Sequence, residues 1–154
     1  MLFRSWLEAL AAQCRRVGAA ALFTITYNGH SACDPVEPED ELARTLLNAH
    51  QARDKGLGGP AAGPAAVAGA VRAFTAVGYQ VERDVSDWRL DARDADVQRI
   101  LVDGWADAAT EMAPQDARVF EAWRRRRHAH IDAGRSLITV GHDDLAAWPT
   151  DAVR

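Results

Sequence analysis

Hydrophobic residues recur at helical spacing in five segments of the chain. In residues 2–17 they stand three or four positions apart, with charged residues between them, and Gly18 follows as a stop signal. Residues with this spacing lie on one face of a helix. The apolar face of this first predicted helix consists of Phe3, Leu7, Leu10, Cys14 and Val17.

Four further segments have the same periodicity. The second helix begins in the acidic stretch after Pro35 and ends near Ala52, the third runs from Pro64 to Gly78, the fourth follows a cap at Asp91, and the fifth runs from Pro114 to Gly134. In chain order, their predicted inward faces are Leu42, Leu46 and Ala49; Val67, Val71 and Phe74; Val97, Ile100, Leu101, Trp105 and Ala108; and Phe120, Trp123, Arg127 and Ile131.

Three short runs have the composition of strands. "ALFTITY" at residues 21–27 has few polar positions, which is typical of a strand buried on both faces of a parallel sheet, whereas "YQVERDV" at 79–85 alternates. "SLITVGH" at 136–142 is the third. Strands joined by helices predict an α/β layered fold. Because open sheets usually have more than three strands, the chain resembles part of a larger sheet.

Composition narrows the class of protein. The chain has 154 residues and is 48% hydrophobic, which suits one domain with a real core. No apolar run approaches the ~20 residues that cross a bilayer, so we expect a cytoplasmic protein without a membrane partner. The net charge of -4 argues against nucleic acid, and two cysteines, Cys14 and Cys33, are too few for a disulfide framework.

The segment "NAHQARDKGLGGPAAGP", residues 48–64, holds the richest candidate chemistry. Gly56, Gly58 and Ala61 match the dinucleotide-binding pattern G-x-G-x-x-A, but that pattern acts on a turn from a strand into a helix. Here the glycines follow a predicted helix. We therefore interpret the segment as a loop and not as a phosphate-binding turn.

His50, Asp54 and Lys55 lie in the same segment, and Lys55 is the only lysine of the chain. A histidine can relay protons near neutral pH, and a lysine beside a carboxylate can hold an anionic substrate group. His50 and Asp54 would share one side if the helix extended that far. The alternative is a helix-end histidine beside a solvated Asp-Lys pair.

Tyr27, Asn28 and Trp88 are predicted to lie at the ends of strands, where ligands bind in parallel α/β sheets. Together with the glycine loop they would form an apolar pocket with a few polar groups. For Trp88 the alternative is a core residue that anchors the sheet edge.

Two other clusters have competing interpretations. His128 and His130 are separated by one residue and so lie on different sides of a helix, and no metal site is expected from them together with His142. The run "WRRRRH", residues 123–128, could bind phosphates or another anionic partner. The alternative is a solvated helix face on which arginine stems cover apolar surface.

Several phrases in order resemble the C-terminal half of bacterial class I S-adenosylmethionine-dependent methyltransferases of small-molecule type. They are "ALFTITYNGH", "DELARTLLNAHQARDKGLGGPAAGP", "GYQVERDVSDWRL", "LVDGWADAA" and "LITVGHDDLAAWP". The resemblance implies a doubly wound Rossmann-like sheet with a final antiparallel strand. It assigns the three predicted strands to the fifth, sixth and last positions of that sheet, within a single partial domain over residues 1–154.

The resemblance also implies S-adenosylmethionine as the cofactor. The glycine-rich motif and the acidic residue that bind it in the family lie upstream of the similar region, so no cofactor-binding residue is assigned. Either the chain is truncated, or a missing N-terminal half or partner subunit supplies the cofactor side. The implied substrate side would use His50 as a catalytic group, and Tyr27, Asn28, Asp54, Lys55 and Trp88 to bind a small molecule.

Two other functions stay open on the sequence. The chain could be a non-enzymatic α/β interaction module that pairs with a partner subunit through an exposed apolar face. It could also be an independent anion-binding domain that uses the glycine loop and the arginine run.

Overall fold

A computed structural model describes residues 2–56 and 58–150, with side chains from residue 6 onward. In this part of the chain, five α-helices and four strands form an α/β fold. The helices are α1 Leu2–Val17, α2 Asp40–Gln51, α3 Ala66–Ala76, α4 Ala95–Met112 and α5 Ala117–Asp132. The strands are β1 Ala21–Asp34, β2 Tyr79–Val85, β3 Trp88–Leu90 and β4 Leu137–Pro149. None of the described helices is long and apolar enough to cross a membrane.

The strands form one antiparallel sheet in the order β1-β4-β2, and β3 pairs with another part of β4. Tyr79 lies opposite Pro149 at one end of the β2 pairing and Val85 opposite Asp143 at the other. The predicted count of three strands was therefore too low, and the expected parallel pairing is wrong. The error has a physical cause, because the composition of an apolar run does not show which strand it pairs with. The expected burial of "ALFTITY" on both faces is also wrong, since no residue of β1 is buried and Leu22 is 70% exposed.

Two strands are longer than predicted. β1 continues past Tyr27 to Asp34, and β4 continues past His142 to Pro149. "DDLAAWP" stays extended because residues 143–149 of β4 pair with β2, and "NGHSACD" is part of β1, which pairs with β4. Tyr27 and Asn28 consequently lie within a strand and not at its end.

The chain divides into two compact units. The first comprises the described residues up to Asn28, Ala52–Ser86 and those from His142 onward; the second comprises Gly29–Gln51 and Asp87–Gly141. β1 and β4 contribute residues to both. The single partial domain stays a prediction.

Helices α1 and α3 supply most of the core of the first unit. Phe74 lies at its centre, with its ring 5.7 Å from that of Phe23 and 5.3 Å from that of Tyr79 in edge-to-face geometry. The Tyr79 hydroxyl donates to the Ala19 carbonyl at 2.6 Å. The predicted inward residues Leu7, Val67 and Phe74 are buried, whereas Val17 is exposed, because it lies in the last turn of α1. Phe3 lies outside the described side chains.

Helices α2, α4 and α5 form the core of the second unit. All four predicted residues of α5 are buried: Phe120, Trp123, Arg127 and Ile131. On α2, Ala43 and Leu47 are buried in place of the predicted Leu42 and Ala49, so the predicted face was displaced by about one residue.

On α4 the prediction holds for Trp105 and Ala108 but is wrong for Ile100, which is 71% exposed, and for Val97. Gln98 takes the interior position. Its side-chain amide donates to the carbonyls of Leu90, Asp91 and Ser136, so a polar residue is buried where three backbone acceptors require a donor.

Candidate functional site

The most unusual backbone conformation in the first unit is at Ile25 in β1. Its φ of 54° lies in the left-handed region, where a β-branched residue is a genuine outlier. The Ile25 N–H donates to Oδ1 of Asp144 at 2.9 Å, and the Ser86 hydroxyl donates to the same oxygen at 2.8 Å. The carboxylate therefore holds the distorted part of β1 in place, two residues before Tyr27.

The environment of Asp144 favours its charged form. The Ile25 N–H, followed by the Ser86 hydroxyl, stabilises the carboxylate and lowers its pKa below the usual value of 3.8. Asp144 is therefore ionised at neutral pH. An ionised carboxylate in this position accepts hydrogen bonds but cannot act as a general acid.

Tyr27 lies beside His142, and their ring centroids are 6.3 Å apart in edge-to-face geometry. His142 is buried in β4, and Tyr27 and Asn28 are half-buried in β1. Neighbouring Asp143 is fully buried, and its Oδ2 accepts from Arg83 at 2.9 Å. The two strands thus bring a tyrosine, a histidine and two carboxylates into one region of the first unit. The sequence signal for this region is "GHDD" at residues 141–144, in which a histidine is followed by two carboxylates.

The predicted loop residues Asp54 and Lys55 also belong to the first unit, and both are exposed. The loop is a compact turn. Oδ1 of Asp54 accepts from the Gly56 N–H at 2.8 Å, Asp54 pairs with Pro60 in an isolated bridge, and the Ala61 N–H donates to the Arg53 carbonyl. Gly56 has a φ of 84°, which explains why glycine occupies it.

The position of this loop confirms one sequence argument and corrects another. The glycines do follow a helix, α2, and precede α3, so they do not form a strand-to-helix phosphate turn. However, α2 ends at Gln51, and Asp54 is therefore not on a common helical face with His50.

His50 and Trp88 belong to the second unit. His50 Nε2 lies 3.0 Å from Oε2 of Glu111, near the ends of α2 and α4. Trp88 begins β3 opposite Val140 and is 40% exposed, which disfavours the alternative that it anchors a core. The catalytic role of His50 and the substrate-binding roles of Tyr27, Asn28, Asp54, Lys55 and Trp88 stay predictions.

A buried ionic network joins the start of α2 to α5 in the second unit. Asp40 accepts from the Trp123 indole at 2.8 Å and from two guanidinium nitrogens of Arg127 at 3.1 and 2.6 Å. Arg127 is fully buried and also donates to the Pro35 carbonyl at 2.6 Å. The sequence had placed Arg127 on the inward face of its helix but had not identified Asp40 as its partner.

The rest of the arginine run is also paired within the chain. Arg126 contacts Glu37 and Glu39, and Arg124 contacts Glu121, Asp107 and Asp103. Burial would raise the pKa of Glu37, but hydrogen bonds from His130 and Arg126 outweigh it and hold that pKa below the usual value of 4.5. These contacts favour the alternative of a helix face over an open phosphate-binding surface, because carboxylates of the same unit pair with the guanidinium groups.

The described residues do not supply a cofactor site. They contain no group of three or more His, Cys, Asp or Glu side chains that could hold a metal ion. The strand-to-helix turns, residues 35–39 and 91–94, contain no glycine that would let a backbone approach S-adenosylmethionine closely. The residues present therefore do not fit the cofactor that the resemblance implies.

Comparison with known proteins identifies no family. No protein-family model matches the chain, and no curated protein matches it significantly.

Proposed function

We propose that this chain is the substrate side of an S-adenosylmethionine-dependent methyltransferase that acts on a small molecule, and that it does not transfer methyl groups alone. The sequence resemblance suggests the family. The last strand, β4, is antiparallel to β2, which is consistent with the final antiparallel strand that the resemblance implies.

One observation carries the proposal. The segment "ALFTITY" has the composition of an interior strand, yet β1 is an edge strand of the described sheet. Leu22 is 70% exposed and Ile25 is 56% exposed, both on this strand. A long edge strand with apolar side chains is a template for pairing with another strand. A further half-sheet beside β1 would pair with its open backbone edge, and the helices flanking that half would cover these side chains. The same half would supply the cofactor site.

In such an enzyme the chain would shape the substrate pocket. Methyl transfer by in-line attack depends mainly on positioning of the nucleophile, and a general base is required only when the nucleophile arrives protonated. Under this proposal, Tyr27 and Asn28 form part of the pocket wall, with the loop carrying Asp54 and Lys55 over it. His50 and Trp88 belong to the second unit, and their predicted roles are separate proposals.

The first test is calorimetric titration of the chain with S-adenosylmethionine and S-adenosylhomocysteine. We expect no binding heat and no thermal shift, because the described residues lack a cofactor loop. Micromolar binding by the chain alone would overturn the part of the proposal that places the cofactor elsewhere.

The second test pairs the chain with a cofactor-binding half and follows the transfer of a labelled methyl group to small-molecule acceptors. Lys55→Ala should lower kcat/KM about tenfold or more if the ammonium holds an anionic substrate group. Arg16→Ala, which removes an exposed cation from α1, is the matched control and should change nothing. Equal activity of the Lys55 and Arg16 variants would remove Lys55 from the site.

The exposed edge also favours the second candidate, an interaction module without catalysis. A module forms a stable complex through β1 but yields no methyl transfer with any cofactor-binding half. The labelled-methyl assay therefore separates the two functions.

A further inference from the structure

A small apolar pocket lies inside the first unit, between α1, α3 and the sheet. Its volume is about 150 Å³. Leu7, Val67, Ala70 and Leu145, all buried, line it together with Phe23 and Thr26 of β1. None of the predicted site residues lines this pocket, so it is distinct from the candidate substrate side.

We propose that this pocket binds a single uncharged aromatic ring of a small molecule. The volume decides the size, because an apolar cavity of about 150 Å³ accommodates a benzene-sized ligand and is too small for most drug-sized molecules. The lining residues indicate that the ligand is uncharged. Among the described lining residues, the polar side-chain groups are the Thr26 hydroxyl and the Trp6 indole N–H, and none of these residues carries a charge that could pair with a charged ligand.

The rim of the pocket favours an aromatic ligand. Trp6 lines it and is 54% exposed, so the indole is accessible from solvent, and Phe23 presents a second ring. Aromatic rings pack favourably at the edge-to-face geometry that Phe23 already makes with Phe74. A ligand ring between Trp6 and Phe23 would thus gain aromatic contacts in addition to burial. This binding does not depend on the proposed methyl transfer.

The test uses methyl-labelled NMR of the full chain titrated with toluene, and with benzoate as the charged control. We expect saturable, millimolar binding of toluene that shifts the methyl signals of Leu7, Val67 and Leu145, because ring currents act over short distances. The methyl groups of Val102, Ile131 and Ile138, buried in the second unit, should not shift. Benzoate should shift neither set.

A pair of variants on α3 gives a second test. Ala66 lines the pocket, and Ala66→Leu should fill it and weaken toluene binding at least tenfold. The Ala68→Leu variant carries the same change at an exposed position of the same helix and should bind toluene with the affinity of the unmodified chain. The titration of the unmodified chain can overturn the proposal by itself, even if the Ala66→Leu variant fails to fold. It would do so if the methyl shifts rose linearly with toluene up to its solubility limit, or if they were equally large in both sets of methyl groups.

Discussion

Asp144 shows how one side chain can set the local geometry of a strand. Its carboxylate accepts from the Ile25 N–H and from the Ser86 hydroxyl, and Ile25 adopts a conformation that costs an L-residue roughly 1–2 kcal/mol. Because the pKa of the Asp144 carboxyl is lower in the folded protein than in the unfolded chain, the ionised carboxylate stabilises the folded state above the unfolded-state pKa of this group. The stabilisation is lost as the pH falls through the folded-state pKa.

Substitution by glycine tests the strain at Ile25. Ile25→Gly removes the Cβ that disfavours positive φ, and because the side chain is 56% exposed little burial is lost. We expect a free energy of unfolding that is unchanged or raised by up to about 1 kcal/mol. Thr24→Gly, at an exposed neighbour with ordinary φ, should lower it by about 1 kcal/mol. Urea denaturation measures both; equal losses would argue against strain at Ile25.

Cys33 is a second residue whose chemistry depends on its surroundings. Burial raises the pKa of its thiol to about 12; nearby Arg127 lowers it and Asp40 raises it, both by smaller amounts. At pH 8 the folded protein should therefore contain about 1,000-fold less Cys33 thiolate than the unfolded chain. We expect iodoacetamide to modify Cys33 very slowly until urea is added, as mass spectrometry of digests would show. Rapid labelling of the native protein would contradict this environment.

At the scale of elements, a buried ion pair joins the start of α2 to α5. Arg127 is fully buried, and Asp40 accepts its hydrogen bonds as well as that of Trp123. A buried pair of this kind adds little net stability over an apolar pair, but removal of one partner leaves an uncompensated charge. Asp40 is therefore required because Arg127 is present.

This requirement predicts a large effect of Asp40→Ala. We expect the free energy of unfolding to fall by about 3–5 kcal/mol, since Arg127 would stay buried without its carboxylate. Glu41→Ala, at the next position of α2, removes an exposed carboxylate paired with Arg44 and should cost less than about 1 kcal/mol. Thermal and urea unfolding of both variants measure the difference. Similar small losses would mean that the pair of Asp40 with Arg127 does not stabilise the fold.

At this scale the sequence predicted some features well and others poorly. The periodicity of α5 identified all four buried residues, including Arg127, because one face of that helix is uniformly covered. The face of α4 was displaced because Gln98 occupies an interior position that a hydrophobic pattern does not mark, and that of α2 because adjacent apolar residues, such as Leu46 and Leu47, leave the exact face open. The partners of His50 and Asp40 could not be predicted, because they come from helices far along the chain.

At the scale of the whole molecule, β1 leaves apolar side chains exposed at an edge of the described sheet. The apolar side chains of β1 favour pairing with another strand, whether from a cofactor-binding half or from a second copy. The chain alone should therefore associate as its concentration rises.

Sedimentation velocity tests this association. Leu22→Lys places a charge on the open edge and should shift the chain towards monomer, because charged side chains block strand pairing at edges. Ile100→Lys is the control, since Ile100 is 71% exposed on α4 and Leu22 is 70% exposed on β1. A role for the β1 edge would be contradicted if the unmodified chain stayed monomeric at high concentration. It would also be contradicted if Leu22→Lys and Ile100→Lys reduced self-association equally.

The sequence by itself determined the five helices and three of the four described strands in their order, the bounds of α1 and β2, and the glycine turn that follows a helix. These features depend on local periodicity, capping and backbone freedom, which neighbouring residues control. The tertiary structure decided the antiparallel pairing, the extension of β1 and β4, the edge position of β1 and the ion pair of Arg127 with Asp40. Each of these depends on residues far apart in the chain, and no local pattern encodes which of them come into contact.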